Sequence, residues 1–196
     1  AGQLGAVGAM AALLSQAIKP NLVQTTEGSP AFVHGGPFAN IAHGTNSITA
    51  TRAALSYADI VVTEAGFAFE LGAEKFFDIN CRYGGFAPAC TVLVTTIRAL
   101  KMHGGKPLAE VSKPDVEAMT RGFSNMEKHI ESIRKFGQAC VVAINGFPTD
   151  TAEEVAALQQ HCAGLGVQAV AAEPFSKGGS GLTRCPRNWG KVSAYL

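Results

Sequence analysis

The stretch CTVLVTT at Cys90–Thr96 decides the fold, because it is an almost continuous apolar run rich in β-branched residues. Such a run is typical of a strand that is covered on both faces of a parallel sheet. Two runs of the same kind follow it, QACVVAIN at Gln138–Asn145 and VQAVA at Val167–Ala171. A shorter β-branched run, DIVVT at Asp59–Thr63, predicts one more strand before them.

Apolar, helix-forming segments separate these strands. The predicted helices are Gly8–Ile18, Asn40–Tyr57, Glu70–Phe77, Lys113–Phe136 and Asp150–Leu165. Ser112 is the candidate N-cap of the fourth helix, and Asp150 that of the fifth, where Glu153 stands at capping-box spacing. Strands that alternate with helices predict an α/β fold, with a mostly parallel sheet and helices on both faces. Ligands of such folds bind at the carboxyl ends of the strands.

The composition narrows the classes of function. Of 196 residues, 47% are hydrophobic and 16% are charged, which is the balance of a folded globular protein. The net charge of +1 gives no reason to expect binding to nucleic acid or to an anionic membrane. The apolar runs are shorter than the roughly 20 residues that a bilayer requires, and we expect no signal peptide. The five cysteines form no CxxC pair, which favours reduced thiols and a cytoplasmic protein.

Aromatic side chains follow three of the predicted strands. Phe67, Phe147 and Phe175 each lie a few residues beyond a strand end, beside polar groups and Gly or Pro. Flat rings at one sheet edge favour a slot for a planar heterocycle. The alternative is that each ring caps the core at the sheet edge. For three rings at the functional edge, we favour the slot.

Polar residues at the same edge leave their roles open. Asn145 directly follows a strand, where its amide either binds the edge of a base or pterin or occupies a turn. Arg98 is placed to bind an anion, or to extend its stem along an apolar surface from a helix start. Lys177, in a Gly-rich loop, is a candidate for a phosphate or carboxylate contact. We interpret Asp150 as a helix cap before a catalytic group.

The densest cluster of polar residues and glycines is His34–Gly44, with the sequence HGGPFANIAHG. It suits either an anion site at a helix start or a tight structural turn. His34 and His43 have no obvious third ligand, so we assign no metal site. The phosphate loop GxxxxGK[ST] and the motifs GxSxG, HExxH and GxGxxG do not occur.

Several segments together resemble one family, the formate–tetrahydrofolate ligases. The similar runs, in family order, are Lys19–Ser47, Val61–Arg82, Arg98–Gly105, Asn125–Gly137, Val141–Thr151 and Glu173–Gly179. The resemblance implies a P-loop NTPase-like fold truncated at its N-terminus, because the family's phosphate loop and formate-binding Arg lie upstream of the similar region. We divide the chain into a family region, 1–181, and a divergent tail, 182–196.

The resemblance implies an ATP-dependent enzyme with Mg²⁺ that joins formate to tetrahydrofolate through formyl phosphate, and a homo-oligomer. Phe147 in NGFPTD and Phe175 in EPFSKGG match the two aromatic residues that sandwich the folate. The other residues that we carry over are Glu64, Phe67 and His34 at the catalytic end, Pro148 and Lys177 for substrate, and Asn145 for nucleotide.

Departures from the family pattern lead to a second hypothesis. Phe175 stands where Trp is usual, and Gly146 and Ala68–Glu70 also differ. Because the sequence contains no phosphate loop, we expect this chain alone to be inactive. The alternatives are a non-catalytic folate-binding or subunit-contact module and a generic nucleotide-binding α/β domain; the long similar runs disfavour the latter.

Overall fold

The structure is a computed structural model that describes residues 1–36 and 42–182. It divides into two compact units, residues 1–86 and residues 87 onward. Of the predicted tail at 182–196, only Leu182 is among the described residues. Residues 37–41 of the His34–Gly44 cluster also lie outside the described residues.

The first unit begins with a helix and a hairpin. Helix α1 spans Val7–Ala17, close to the predicted range, and has no buried residue. Strands β1 (Asn21–Gln24) and β2 (Pro30–Val33) form an antiparallel pair that the sequence analysis missed. The hairpin is closed by a short turn in which Gly28 takes a positive φ of 84°.

Two predictions for the first unit need correction. Helix α2 spans Ile48–Tyr57 rather than starting at Asn40, because the Ser47 side chain caps the N–H of Ala50 and fixes the start. The predicted strand Asp59–Thr63 is not formed, and Ile60 and Val62 are exposed. A β-branched run becomes a strand only where another strand pairs with it.

A helical segment completes this unit and is longer than the predicted Glu70–Phe77. It consists of two π-helical turns, Phe69–Ala73 and Phe76–Cys81, followed by the short helix α3 at Arg82–Gly84. Its buried side chains include Phe69, Phe76 and Asn80, and the Asn80 amide donates a hydrogen bond to the carbonyl of Asn46. Turns of this width are rare and occur often at functional sites.

The second unit contains the predicted parallel sheet, which is confirmed. Its strands β3 (Thr91–Thr95), β4 (Cys140–Asn145) and β5 (Gln168–Ala172) lie side by side in chain order. The register pairs Thr95 with Ile144 and Asn145 with Ala172, so β4 and β5 end together.

Helices connect the strands of this unit. They are α4 (Ile97–His103), α5 (Val116–Arg121), α6 (Phe123–Lys135) and α7 (Ala152–Gly164), with a 3₁₀ turn at Leu108–Glu110. After β5 come the short helix α8 (Pro174–Lys177) and a 3₁₀ segment at Gly178–Leu182. The predicted single helix Lys113–Phe136 is wrong, because it is two helices that meet at Gly122. Asp115, not Ser112, caps the first of them.

The core of this unit lies on one face of the sheet. Leu93, Val142 and Ile144 point toward it and pack with side chains of α4, α6 and α7. The opposite face carries Val92 and Val94, which are 43% and 63% exposed, so the expected second layer of helices is absent over β3 within residues 87–182. Crossovers of one hand between strands that advance in one direction place their helices on the same face, which explains this result.

Helices α4 and α5 approach each other at two glycines. A Cβ on Gly104 would overlap the carbonyl oxygen of Ala118, and a Cβ on Gly122 would overlap that of Leu100. The two backbones are therefore in direct contact. This contact accounts for the break between α5 and α6, because Gly122, where they meet, lies against the backbone of α4.

Candidate functional site

The candidate site lies at the carboxyl edge of the β3–β5 sheet, where β4 passes into its loop. The N–H of Gly146 donates a 2.9 Å hydrogen bond to the carbonyl of Ala172 and so extends the pairing of β4 with β5 by one step. A Cβ on Gly146 would lie 3.2 Å from that oxygen, which is tight for any side chain. The lack of a side chain at Gly146 thus suits the close approach of the two strand ends.

Asp150 closes the loop that carries Phe147. Its Oδ2 accepts a 2.8 Å hydrogen bond from the N–H of Phe147, and its own N–H donates to the carbonyl of Phe147 at 2.9 Å. The predicted capping role is therefore wrong by one residue. Thr151 caps α7, in a reciprocal capping box with Glu154. Asp150 instead fixes the backbone at the aromatic residue.

Arg98 lies against the same loop from the first turn of α4. Its guanidinium carbon is 4.1 Å from the centroid of the Phe147 ring. Its Nη2 donates a 3.0 Å hydrogen bond to Oγ1 of Thr149. Phe147 itself is half-buried. The side chain of Arg98 therefore contacts the loop of the candidate site directly, a contact that neither sequence interpretation of Arg98 included.

Beneath the loop lies a buried ion pair that sequence reasoning missed. Nζ of Lys101 is 2.8 Å from Oε1 of Glu154, and neither side chain is exposed. The carboxylate also accepts hydrogen bonds from the N–H of Asp115 and from the N–H and hydroxyl of Thr151. Nζ of Lys101 donates a second bond to the carbonyl of Lys113. The pair joins α4, the α5 cap and the start of α7.

The pKa of Glu154 reflects this environment. Burial is the largest single influence and raises it, but the hydrogen bonds from Lys101, from the N–H groups of Thr151 and Asp115, and from the Thr151 hydroxyl together outweigh burial. The net result lowers the pKa of Glu154 from 4.5 to about 2. The carboxylate is therefore ionised at neutral pH despite its burial.

The second predicted aromatic residue, Phe175, follows strand β5, which lies next to β4. Phe175 lies on α8, directly after Pro174, and its side chain is 93% exposed. Lys177, two residues on, is exposed and forms an ion pair with Glu173. Among the described residues, the ring of Phe175 thus makes little contact with any neighbour, Phe147 included, although both rings follow the paired ends of β4 and β5. Asn145 is half-buried at the end of β4, and Pro148 is exposed in the loop.

The other predicted residues lie in the first unit. Phe67 is 61% exposed, and it and Ala68 have positive φ angles of 62° and 63°. Two adjacent non-glycine residues in this region cost about 1–3 kcal/mol each, and such strain clusters at functional sites. The side chain of Glu64 is exposed, while its carbonyl accepts a 2.7 Å hydrogen bond from Thr45. The strained turn makes 64–68 a second candidate site.

His34 is engaged through both ring nitrogens. Its Nε2 is 2.9 Å from the carbonyl of Ala17, so Nε2 is the donor, and Nδ1 is 2.6 Å from the hydroxyl of Ser47. These contacts connect the end of α1 to the cap of α2. In this structure the imidazole serves the packing of the first unit.

The described cysteines are thiols, and burial perturbs their pKa values. Burial raises the pKa of Cys81, Cys140 and Cys162 to about 11, so these thiols are protonated at neutral pH. The four described cysteines are free. Over residues 1–36 and 42–182, no group of three His, Cys, Asp or Glu side chains is arranged to hold a metal ion.

The fold and the site define a class: an α/β protein with an aromatic residue fixed at the carboxyl edge of a parallel sheet, where such folds bind ligands. Comparison with known families gives the particular assignment. The sequence model described as formate–tetrahydrofolate ligase matches residues 1–191. The chain belongs to this family.

Individual relatives agree with the family match. A formate–tetrahydrofolate ligase of Parabacteroides distasonis is 54% identical over 184 residues, which is 94% of this chain and 33% of the relative. One of Porphyromonas gingivalis is 57% identical over 178 residues, which is 91% of this chain and 32% of the relative. The chain thus spans about a third of the length of the curated relatives it matches. Among the described residues, no helix has the length and apolar character to cross a membrane.

Proposed function

We propose that this chain forms the tetrahydrofolate-binding part of a formate–tetrahydrofolate ligase. In the proposed reaction, ATP transfers its terminal phosphoryl group to formate, giving formyl phosphate and ADP. A nitrogen of tetrahydrofolate then attacks the carbonyl carbon, phosphate leaves, and the nitrogen loses its proton. The products are 10-formyltetrahydrofolate, ADP and phosphate.

The single observation that carries the proposal is the placement of Phe147. Its backbone is fixed by Asp150 and its ring by Arg98, at the edge of the sheet where ligands of α/β folds bind. A fixed aromatic face suits a flat pterin, because stacking adds about 0.5–1.5 kcal/mol to the burial of apolar area. The bicyclic pterin is the flat part of tetrahydrofolate.

Other residues of this edge have proposed roles in the same site. Phe175, exposed after the end of β5, closes on the second face of the pterin, and Pro148 lies in the loop beside Phe147. The Asn145 amide offers both a donor and an acceptor to a heterocycle edge, of the nucleotide or the pterin. Lys177, exposed beside Glu173, is available to a carboxylate or phosphate of a ligand.

The first unit is proposed to serve the formyl phosphate end. Phe67 lies in the strained turn and Glu64 precedes it, and strain of this kind is stable only where the surrounding structure enforces it. We place His34 near the catalytic end as a residue that holds this unit together, through Ala17 and Ser47. Mg²⁺, which neutralises charge on ATP in phosphoryl transfer, is assigned to no residue of this chain, since its described donors form no suitable group.

The proposal predicts tetrahydrofolate binding that depends on the two rings. In calorimetry, the double variant Phe147→Ala/Phe175→Ala should show no measurable binding. Each single variant should weaken binding by more than roughly 2- to 12-fold, because it removes the stacking of one ring and also the apolar area that the ring buries. Leu108→Ala is the matched control, because Leu108 is an exposed apolar side chain beyond the far end of α4. Unchanged affinity in the double variant would contradict the proposed site.

A second measurement separates binding from catalysis. Because the sequence lacks a GxxxxGK[ST] phosphate loop, we expect this chain to bind tetrahydrofolate without ATP and to release no phosphate from ATP and formate above background. Turnover similar to that of full-length relatives would refute this expectation. Folate binding without turnover is also what a non-catalytic folate-binding module would show, and a subunit-contact module would bind neither ligand. We expect the full-length ligase to be cytoplasmic and to form a homo-oligomer.

A further inference from the structure

Arg98 occupies an electrostatically costly position. It lies in the first turn of α4, where the helix dipole disfavours a positive charge. Its Nε is buried and has no hydrogen-bond acceptor among the described residues. A buried donor without a partner costs free energy, so other contacts of the guanidinium must offset this placement.

The contacts that offset the cost all lie on one loop. The face of the Phe147 ring, 4.1 Å from the guanidinium carbon, is a favourable environment for a cation. The hydroxyl of Thr149 accepts the hydrogen bond from Nη2. Residues 98 and 147 are far apart in sequence, so the contact exists only because β3 and β4 are neighbours in the sheet.

The guanidinium of Arg98 covers one face of the Phe147 ring, which is half-buried. We propose that Arg98 is a positioning residue, whose guanidinium holds the Phe147 ring from one face so that the opposite face is presented to the pterin. A cation on one face also draws π-electron density toward itself, which favours stacking of an electron-rich aminopyrimidinone on the other face. This inference rests on the proposed function, and it gives Arg98 a role without contact to the ligand.

Tetrahydrofolate binding to four variants tests the role. Arg98→Met keeps an unbranched apolar stem and removes the charge, and it should raise the Kd about tenfold. Arg98→Lys, which retains a cation over the ring, should restore much of the affinity. Thr149→Val removes only the hydrogen-bond acceptor and should give a smaller increase. Lys128→Met is the control for the loss of one positive charge, because Lys128 is paired with Glu131 on the exposed surface of α6.

A double-mutant cycle with Phe147→Leu gives the deciding readout. If Arg98 acts through the ring, Arg98→Met should change the Kd less than twofold once Phe147 has been replaced. A full tenfold effect in that background would show that Arg98 binds a ligand anion directly, and it would overturn the positioning role. So would an Arg98→Met variant with wild-type affinity.

The outcomes also separate this inference from the proposed function. If the wild-type chain binds tetrahydrofolate and Phe147→Ala weakens binding while Arg98→Met does not, the proposed function stands and the role of Arg98 falls. If the wild-type chain does not bind tetrahydrofolate, both fall. The urea midpoint of each variant is measured alongside, and because Arg98→Lys and Thr149→Val are mild changes, they keep the test valid if Arg98→Met fails to fold.

Discussion

Replacing Glu154 with Leu is expected to lower the free energy of unfolding by about 3–5 kcal/mol, the range for removing one partner of a buried ion pair. Lys101 would keep its charge in a fully buried position with only the carbonyl of Lys113 as acceptor. The cap of α7 would also lose its reciprocal bond. Urea denaturation followed by circular dichroism measures the loss.

Two controls distinguish the buried pair from charge in general. The double variant Lys101→Met/Glu154→Leu should recover much of the lost stability, because no unpaired charge then remains in the core. Glu131→Leu removes a carboxylate that pairs with Lys128 and Lys135 on the exposed face of α6, and it should leave the urea midpoint nearly unchanged. A double variant as unstable as Glu154→Leu would contradict this explanation.

The same pair gives stability a dependence on pH. The pKa of Glu154 is lower in the folded chain than its ordinary value of 4.5, so its contribution is complete above that value. The contribution is lost as the pH falls from about 4.5 toward 2. In the double variant this part of the acid dependence should be missing, which the urea midpoint at several pH values would reveal.

Gly104→Ala and Gly122→Ala are each expected to destabilise the second unit by about 3 kcal/mol, the upper end for overpacking. Each added methyl group would overlap a backbone carbonyl of the facing helix, Ala118 or Leu100. A backbone atom cannot move aside by a rotamer change, so α4 and α5 would have to separate. Thermal and urea unfolding measure the effect.

Gly164→Ala is the matched control for these substitutions. Gly164 is the last residue of α7, and a Cβ there would meet no atom within 4 Å. Because Ala favours the helix over Gly, the free energy of unfolding should stay unchanged or rise by up to about 1 kcal/mol. If Gly104→Ala were equally harmless, the proposed backbone contact between α4 and α5 would be wrong.

The parts of the fold that depend on local pattern could be predicted. Cys90–Thr96 and Gln138–Asn145 contain the observed β3 and β4, and Val167–Ala171 covers all of β5 except Ala172, because buried parallel strands need continuous apolar sequence. Asp59–Thr63 has the same residue types but no strand beside it. Pairing is a long-range property, and a single run of sequence does not reveal it.

Features that depend on tertiary contact escaped prediction. The helix break at Gly122 could not be predicted, because the surrounding sequence is typical of a helix. Gly122 needs to lack a side chain because the carbonyl of Leu100 on α4 lies against it. The capping box was predicted from Asp150 and Glu153, yet Thr151 and Glu154 offer the same spacing one residue later.

At the candidate site, the strand-end rule directed attention to the segments after β4 and β5, where Phe147 and Phe175 lie. The contact of Arg98 with Phe147 joins residues from different strand ends, so no local motif encodes it. The sequence suggested an anion site or an extended stem for Arg98 and did not suggest its contact with Phe147, because that partner is distant along the chain.

The buried pair has a consequence for the thermodynamics of ligand capture. Lys101 lies one turn after Arg98 on α4, and Glu154 lies at the start of α7, directly after the loop of Phe147. The ion pair therefore connects the helix that carries Arg98 to the helix that follows the loop of Phe147. This side of the proposed site is organised before a ligand binds. Phe175, in contrast, is 93% exposed within the described part of the chain, and on binding it must lose side-chain rotamer freedom, at about 0.5–1.5 kcal/mol for one ordered side chain. In the proposed complex, most of the conformational entropy that the protein loses on binding therefore comes from the Phe175 side of the site, after β5.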